Sequence, residues 1–161
     1  MTVNPSFSQL VRSPVLLLAF GFGSGLSPKA PGTVGTIAAI PLWLLLAQLP
    51  QIPYILVVAA AALIGISICG VAAERLGVHD HGGIVWDEFV GLWIAMAFLP
   101  PSYVSLALGF ILFRVFDIIK PWPISWLDKN VGGGLGIMID DVVAGLAAGV
   151  CALIIQTLLL N

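Results

Sequence analysis

Long apolar runs alternate with short polar connections along this chain. The apolar runs cover residues 34–49, 52–73, 84–99, 102–119 and 135–160. A helix needs about 20 apolar residues to cross a bilayer, with about 17 as a practical minimum. The second, fourth and fifth runs meet that length, and the other two are marginal.

Two smaller features complete the pattern of elements. Pro41 is expected to kink the first run. The apolar run 14–20 is too short to span a bilayer and predicts a half-helix or an interfacial segment. Strand signals are weak. The pattern predicts an all-α fold, a multi-pass membrane helical bundle with about four to five spanning helices and a short N-terminal half-helix. Residues 1–161 are expected to form a single domain.

The connections between the runs fall into two kinds. Residues 49–53 and 99–102 carry no charge, whereas 74–83 and 120–134 are charged. Helices that alternate in direction place the charged connections on one face, which the positive-inside rule makes cytoplasmic. The basic residues on that face are Lys29, Arg75, Lys120 and Lys129. Three tryptophans are expected at the same interface: Trp86, Trp122 and Trp126.

Composition supports a membrane protein. Of the 161 residues, 60% are hydrophobic and 9% are charged, whereas a soluble domain usually has about 25% charged residues. The net charge of −2 gives no basic field for nucleic acid. The N-terminus lacks the features of a cleaved secretory signal, so none is expected. Cys69 and Cys151 lie inside apolar runs, so no structural disulfide is expected and a secreted disulfide framework is excluded.

Nearly all charges lie in four clusters, at residues 27–33, 74–88, 114–120 and 128–141, and only Arg12 lies outside them. Charge in an apolar chain is costly and is usually kept for function. Loop charges alone could simply make one side of the protein soluble. That explanation does not cover the carboxylates and the arginine at or inside helix ends, so one polar, ionisable site is predicted.

The first cluster belongs to a glycine- and proline-rich segment, residues 21–36, that precedes a helix. Glycines let backbone N–H groups approach an anion, and a helix N-terminus attracts negative charge. Lys29 adds a positive charge, and Ser27 and Thr33 add hydroxyl groups. A phosphate-binding loop and a plain membrane turn are both compatible with this segment.

The second cluster combines two histidines with two carboxylates. His79 and His81 are candidates for acid or base chemistry near neutral pH. Asp87 and Glu88 open a helix, where the helix dipole favours carboxylates. The helix dipole alone is a weaker explanation where the helix enters lipid, because unpaired carboxylates are costly there. Hard oxygen ligands suit magnesium, so both carboxylates are predicted metal ligands.

The third cluster places Arg114, Asp117 and Lys120 on one helical face, at spacings of three residues. An internal Arg114–Asp117 salt bridge is one interpretation. Arg114 and Lys120 are also candidate phosphate-binding residues. Asp117 is a candidate catalytic residue that binds metal or orients the arginine.

The fourth cluster holds adjacent aspartates, Asp140 and Asp141, near the start of the last helix. Their side chains diverge by roughly 100°, so both reach a site only if it lies between them. Two carboxylates inside an apolar helix favour metal binding over helix capping. Cys69 and Arg75 also match the C-x5-R spacing of cysteine-dependent phosphatases. The intervening residues continue a helix, so Cys69 is interpreted as a small core residue.

Taken in order, GFGSGLSPKAPGT, HDHGGIVWDEFVG, FRVFDIIKPWPI and GGLGIMIDDVVAG resemble the phosphatidylglycerophosphatase A family. The resemblance covers nearly the whole chain. It implies a magnesium-dependent enzyme of the bacterial inner membrane that removes the terminal phosphate of phosphatidylglycerophosphate. The site would then face the cytoplasm, with the lipid substrate and the bilayer as partners. A small transporter or channel subunit for an anion or a proton is the alternative, because such proteins also use intramembrane charges.

Overall fold

The computed structural model describes residues 4–78 and 81–159, and this part of the chain is helical without any β-strand. Three short elements come first. Helix α1 (Phe7–Arg12) begins with a capping box, in which the backbone N–H of Ser6 donates to Gln9 Oε1 at 2.7 Å. Helix α2 (Pro14–Ala19) and a 3-10 segment (Gly21–Leu26) follow. A six-residue helix therefore stands where the sequence predicts a half-helix.

The remaining helices form the bundle. They are α3 (Pro31–Leu46), α4 (Gln51–Leu76), α5 (Trp86–Met96), α6 (Tyr103–Ile119), α7 (Ile124–Asn130) and α8 (Gly133–Leu159). Pro31 occupies the first turn of α3, where its missing N–H costs nothing, and Gly77 ends α4 with a φ of 66°. Helix α8 is central, since it packs against α4, α5, α6 and α7.

Helix α5 lies inside the bundle, and indole and phenol groups fasten it there. Trp86 Nε1 donates to the carbonyl of Ala61 on α4, and Trp93 Nε1 donates to the carbonyl of Ala39 on α3, each at 3.2 Å. The hydroxyl of Tyr54 donates to the Trp93 carbonyl at 2.6 Å. Buried polar groups need such partners. These bonds hold α5 at its first residue and in its second half, and its first turn carries two of the predicted site residues.

The number of spanning helices differs from the prediction. Only α4 and α8, within the described residues, are long and apolar enough to cross a membrane, and α3 is a shorter apolar helix. The run 84–99 becomes an 11-residue helix, about 16 Å long by helix rise. It is apolar because nearly all of it is buried against other helices. The expectation of four to five spans is therefore corrected to two.

The tryptophans also separate into two groups. Trp122 and Trp126 are 81% and 55% exposed, at the α6–α7 connection and on α7. Trp86, which was expected beside them at the interface, is buried and stacks on Phe89 with ring centroids 5.9 Å apart. Its hydrogen bond to α4 explains why it turns inward.

Candidate active site

All four charged clusters meet at one cavity of about 360 Å³. The turn before α3, the start of α5, the end of α6, helix α7 and the first part of α8 each supply part of its wall. The convergence predicted from the alternation of charged and plain connections is confirmed. The charged residues of the wall are Asp87, Glu88, Arg114, Asp117, Lys120, Asp128, Asp140 and Asp141.

Three carboxylates form the acidic centre of this cavity. Asp87 and Glu88 lie in the first turn of α5, and Asp141 approaches them from α8. One oxygen from each of the three residues lies within 4.8 Å of the others. Asp87 Oδ1, Glu88 Oε2 and Asp141 Oδ2 are buried and have no hydrogen-bond partner in the described part of the chain. Hard oxygen atoms left without partners are what a divalent cation would satisfy.

The electrostatics of the two α5 carboxylates also favour a bound cation. Burial, more than any charge, raises the pKa of Glu88 to about 7. Burial also raises the pKa of Asp87 well above its usual range, and repulsion from Glu88 and Asp141 adds to it. These carboxylates are costly to ionise without a nearby positive charge. A cation held between them would remove that cost.

Arg114 stands beside the acidic centre and contacts three elements. Its Nη1 lies 2.5 Å from Asp117 Oδ2 and 3.7 Å from Glu88 Oε1, so the predicted Arg114–Asp117 salt bridge is present. The same nitrogen donates to Thr36 Oγ1 on α3 at 3.5 Å. The Nε of Arg114 is buried without a partner among the described residues. Arg114 is thus fixed by carboxylates and retains a donor for a further acceptor.

The turn before α3 approaches this arginine closely. A Cβ placed on Gly32 would overlap Glu88 Oε1 and would lie 3.2 Å from both terminal nitrogens of Arg114. Only glycine leaves the room that Glu88 and Arg114 need there. Thr36, one turn later, donates its hydroxyl to the Gly32 carbonyl at 2.8 Å. The glycine-rich segment therefore contributes backbone and Thr36 to the site.

Lys120 forms the second cationic position, just beyond the end of α6. Its ammonium group donates to Asp128 on α7 and to Asp140 Oδ2 on α8, the latter at 2.7 Å. Its backbone is left-handed, with a φ of 46°, which turns the chain into α7. Burial lowers the pKa of Lys120, but the bonds to the two carboxylates outweigh it and raise the pKa above its ordinary value. Lys120 is therefore charged at neutral pH.

Three predicted substrate-binding residues lie outside the cavity wall. Lys29 is exposed, and the hydroxyl of Ser27 donates to the Lys29 carbonyl at 2.9 Å. Thr33 is half-buried and does not line the cavity. Ala30, Pro31 and Gly32 line it instead. The segment reaches the site through its backbone, and the substrate-binding role of its side chains stays a prediction.

Of the two histidines predicted as catalytic residues, the structure describes His81, which does not line the cavity. His81 is buried beside Phe20, with ring centroids 5.5 Å apart. Its Nδ1 accepts the backbone N–H of Gly83 at 3.1 Å. His79 lies outside the described residues. The acid–base role of both histidines stays a prediction, and no contact links His81 to the carboxylates in the described part of the chain.

Sequence reasoning missed two residues of the site. Asp128 holds Lys120, and Thr36 contacts Arg114. The charge of Asp128, in an otherwise apolar chain, was the available signal. Thr36 gave no signal beyond its place in the glycine-rich segment. The rejected C-x5-R motif is confirmed as helical, since Cys69 and Arg75 both lie within α4, and the Cys69 thiol is buried against Met138.

The fold and the cavity together define a class: an all-helical protein that encloses clustered carboxylates, an arginine and a lysine between apolar helices. Comparison with known proteins narrows that class. The profile of the family described as "Phosphatidylglycerophosphatase A" matches residues 17–156. No solved structure matches the chain.

Three relatives are similar over most of their length. Phosphatidylglycerophosphatase A of Escherichia coli (strain K12) is 51% identical over 158 residues, covering 93% of this chain and 92% of the relative. The protein of the same name from Haemophilus influenzae is 44% identical, covering 95% of each chain. A Bacteroides thetaiotaomicron protein, provisionally named a phosphatidylinositol-3-phosphatase, is 39% identical, covering 81% and 86%. The chain belongs to the phosphatidylglycerophosphatase A family and is a phosphatase, as the sequence motifs indicated.

Proposed function

We propose that this protein removes the terminal phosphate from phosphatidylglycerophosphate, with Mg²⁺ as its cofactor, to give phosphatidylglycerol and inorganic phosphate. The observation that carries the proposal is the meeting of the Asp87, Glu88 and Asp141 oxygens beside Arg114 in one cavity. A site for a phosphate monoester needs carboxylates that bind a metal cation and, next to them, a positive group such as arginine that binds the phosphate. The names of the family and of two relatives support the same lipid.

The donor set fits Mg²⁺. Asp87, Glu88 and Asp141 offer carboxylate oxygens only, and three of these oxygens are buried without partners in the described chain. Mg²⁺ prefers such hard ligands together with water and substrate phosphate oxygens. When bound, the ion would supply charge neutralisation on the phosphate and a lowered pKa for an attacking water.

The residues around the acidic centre would bind and orient the substrate. Arg114, held by Asp117, would donate hydrogen bonds to the phosphate oxygens and stabilise the charge that develops in the transition state. Lys120, held by Asp128 and Asp140, would add a second positive charge within the same cavity. Gly32 would keep the arginine accessible by leaving space beside it.

The outer surface of the bundle supports the proposal that the protein is embedded in a membrane. Helices α4 and α8 are candidate spans, and their outward side chains are large and apolar. Such surface is unfavourable in water and favourable against lipid. The charged connections that form the cavity would face the cytoplasm under the positive-inside rule, so the enzyme would meet lipid headgroups at the inner leaflet of the bacterial inner membrane. Family membership favours this phosphatase over the transporter alternative.

The name of the Bacteroides relative identifies the competing substrate. Phosphatidylinositol 3-phosphate and phosphatidylglycerophosphate both carry a phosphomonoester on a polyol that a phosphodiester joins to the lipid. The experiment is to measure phosphate release by the purified protein, in detergent micelles with Mg²⁺, from each of these lipids and from phosphatidate. The largest kcat/KM is expected for phosphatidylglycerophosphate. A preference for either other lipid, or no phosphate release from phosphatidylglycerophosphate, would contradict the proposal.

A further inference from the structure

We propose that the cavity holds a second divalent cation, bound by Asp140 and Asp141 next to the position formed by Asp87, Glu88 and Asp141. The inference rests on the proposed function, because it assigns a further metal site within the same phosphatase centre. It concerns the number of ions and the side chains that bind the second one.

One carboxylate oxygen of the cavity would remain unsatisfied if only one ion were bound. Asp140 is 6% exposed, and its Oδ2 accepts from Lys120 at 2.7 Å. Its Oδ1 is buried and has no partner within the described residues. Asp140 lines the cavity but is not part of the three-carboxylate group whose oxygens lie within 4.8 Å of one another. An ion at that group therefore leaves Asp140 Oδ1 unsatisfied, and leaving a buried carboxylate oxygen unsatisfied is costly.

The net charge of the cavity wall also favours a second divalent cation. The described wall of the cavity carries six carboxylates against Arg114 and Lys120, an excess of four negative charges. One divalent cation leaves an excess of two, to which a phosphomonoester adds nearly two more at neutral pH. Asp128 is partly exposed to solvent, but the other five carboxylates are largely buried, and buried groups do not tolerate that much uncompensated charge. Two divalent cations neutralise the wall, and the dianionic phosphate then enters a neutral site.

The adjacent positions of Asp140 and Asp141 in α8 suit a second ion between their side chains. Asp140 and Asp141 are consecutive in α8, so their side chains leave the helix about 100° apart and flank the space between them. Lys120 holds one oxygen of Asp140, which restricts the orientation of the other. Asp141 has two carboxylate oxygens and can serve both ions. Paired divalent cations with shared carboxylates are a recurrent arrangement in phosphatases, where they clamp the attacking and leaving oxygens.

The test counts ions directly. Mn²⁺ takes the same oxygen ligands as Mg²⁺ and is detected by electron paramagnetic resonance. The full-length protein in detergent is titrated with Mn²⁺, and free ion is measured in the wild type, in Asp140→Asn and in the control Lys129→Met. Lys129 is exposed on α7 and does not line the cavity. We expect two ions per chain in the wild type and the control, with spin coupling between them, and one ion in Asp140→Asn.

A second variant separates the loss of the Asp140 ligand from a displacement of Lys120. Asp128→Asn also removes a carboxylate from Lys120 but keeps Asp140 and Asp141, so two ions are expected. Saturation of the wild type at one ion, or two ions in Asp140→Asn, would overturn the inference. Loss of the second ion in both Asp128→Asn and Asp140→Asn would overturn it as well, because the cause would then be the position of Lys120. Phosphate release from phosphatidylglycerophosphate by the same wild-type preparation tests the proposed function separately.

Discussion

At the scale of single residues, Asp141 is central, because it comes from a different helix from Asp87 and Glu88 and completes the acidic centre. Asp141→Asn keeps the shape and removes the charge. We expect phosphate release to fall by about 100-fold or more, since a bound cation contributes several kcal/mol of charge stabilisation. The control is Glu74→Gln, an exposed carboxylate outside the cavity wall. Initial rates at saturating lipid decide the matter, and equal rates for both variants would remove Asp141 from the centre.

Gly32 offers a test of steric fit. A methyl group in Gly32→Ala would overlap the end of the Glu88 side chain, which can swing away at little cost in stability. We expect activity to fall about tenfold or more, because the displaced Glu88 carboxylate no longer has the geometry that catalysis needs. The melting temperature should change little, because the packing of the helices is unaffected. Gly82→Ala is the matched control, since Gly82 also lines the cavity but has open space around it. Similar activities for the two alanine variants would contradict this reading of Gly32.

Site residues could be predicted from the sequence where placing them in an apolar chain costs free energy. Charged residues such as Arg114 and Asp141 stand out because an apolar chain has little other reason to carry them. The glycine-rich segment was correctly predicted to reach the site, but Ala30, Pro31 and Gly32 line the cavity rather than Ser27, Lys29 and Thr33. Its 3-10 segment and the left-handed backbone at Ala30 (φ 45°) turn Lys29 to the surface and place Gly32 in the wall. Such turns depend on tertiary packing and are not encoded in composition.

At the scale of helices, the length of an apolar run did not distinguish a helix buried in the protein core from one whose surface faces lipid. Helix α5 and the middle of α4 are similarly apolar, but α5 is enclosed by neighbouring helices while α4 exposes much of its surface. A buried helix is apolar all round for the same reason as a spanning one. The long runs of α4 and α8 were correctly predicted as spanning candidates. The run 102–119 was wrongly predicted to span, since α6 has 17 residues and is not a candidate span, and the run 84–99, predicted as marginal, is the buried helix α5.

The crossing of α4 and α8 allows a prediction about stability. A Cβ on Gly134 would overlap the backbone carbonyl of Ile66, whereas a Cβ on Gly70 would meet Gly134 at an ordinary 3.4 Å. Gly134→Ala is expected to destabilise the protein by about 1–3 kcal/mol, as overpacking does. Gly70→Ala should be neutral or stabilising, because alanine favours a helix. Thermal unfolding in detergent measures both, and equal melting temperatures would contradict the close crossing.

At the scale of the whole molecule, the convergence of distant clusters was predictable from topology. Charged connections on one face of an alternating bundle must lie near one another, and the structure places all four clusters around one cavity. The Arg114–Asp117 ion pair could be predicted from its spacing within one helix, whereas the Lys120–Asp128 ion pair could not, because it depends on how α7 folds back. Asp128 reaches Lys120 across the α6–α7 turn, a contact with no periodic signal in the sequence.

Metal removal tests the whole site at once. Excess EDTA is expected to reduce phosphate release to about 1% or less, because the ion is needed for charge neutralisation and for activation of water. Added Mg²⁺ should restore the rate without refolding, since a core of buried hydrophobic side chains joins the helices. Circular dichroism before and after chelation checks that the fold survives. Full activity in EDTA would show that the carboxylates act without a metal.

A crystal structure of the protein grown with Mn²⁺, with data collected at a wavelength that gives an anomalous signal, would locate the ion itself. We expect an anomalous peak within about 2.5 Å of carboxylate oxygens from Asp87, Glu88 and Asp141 together. A peak bound elsewhere in the chain, or three carboxylates that remain apart with no metal between them at saturating Mn²⁺, would contradict this expectation.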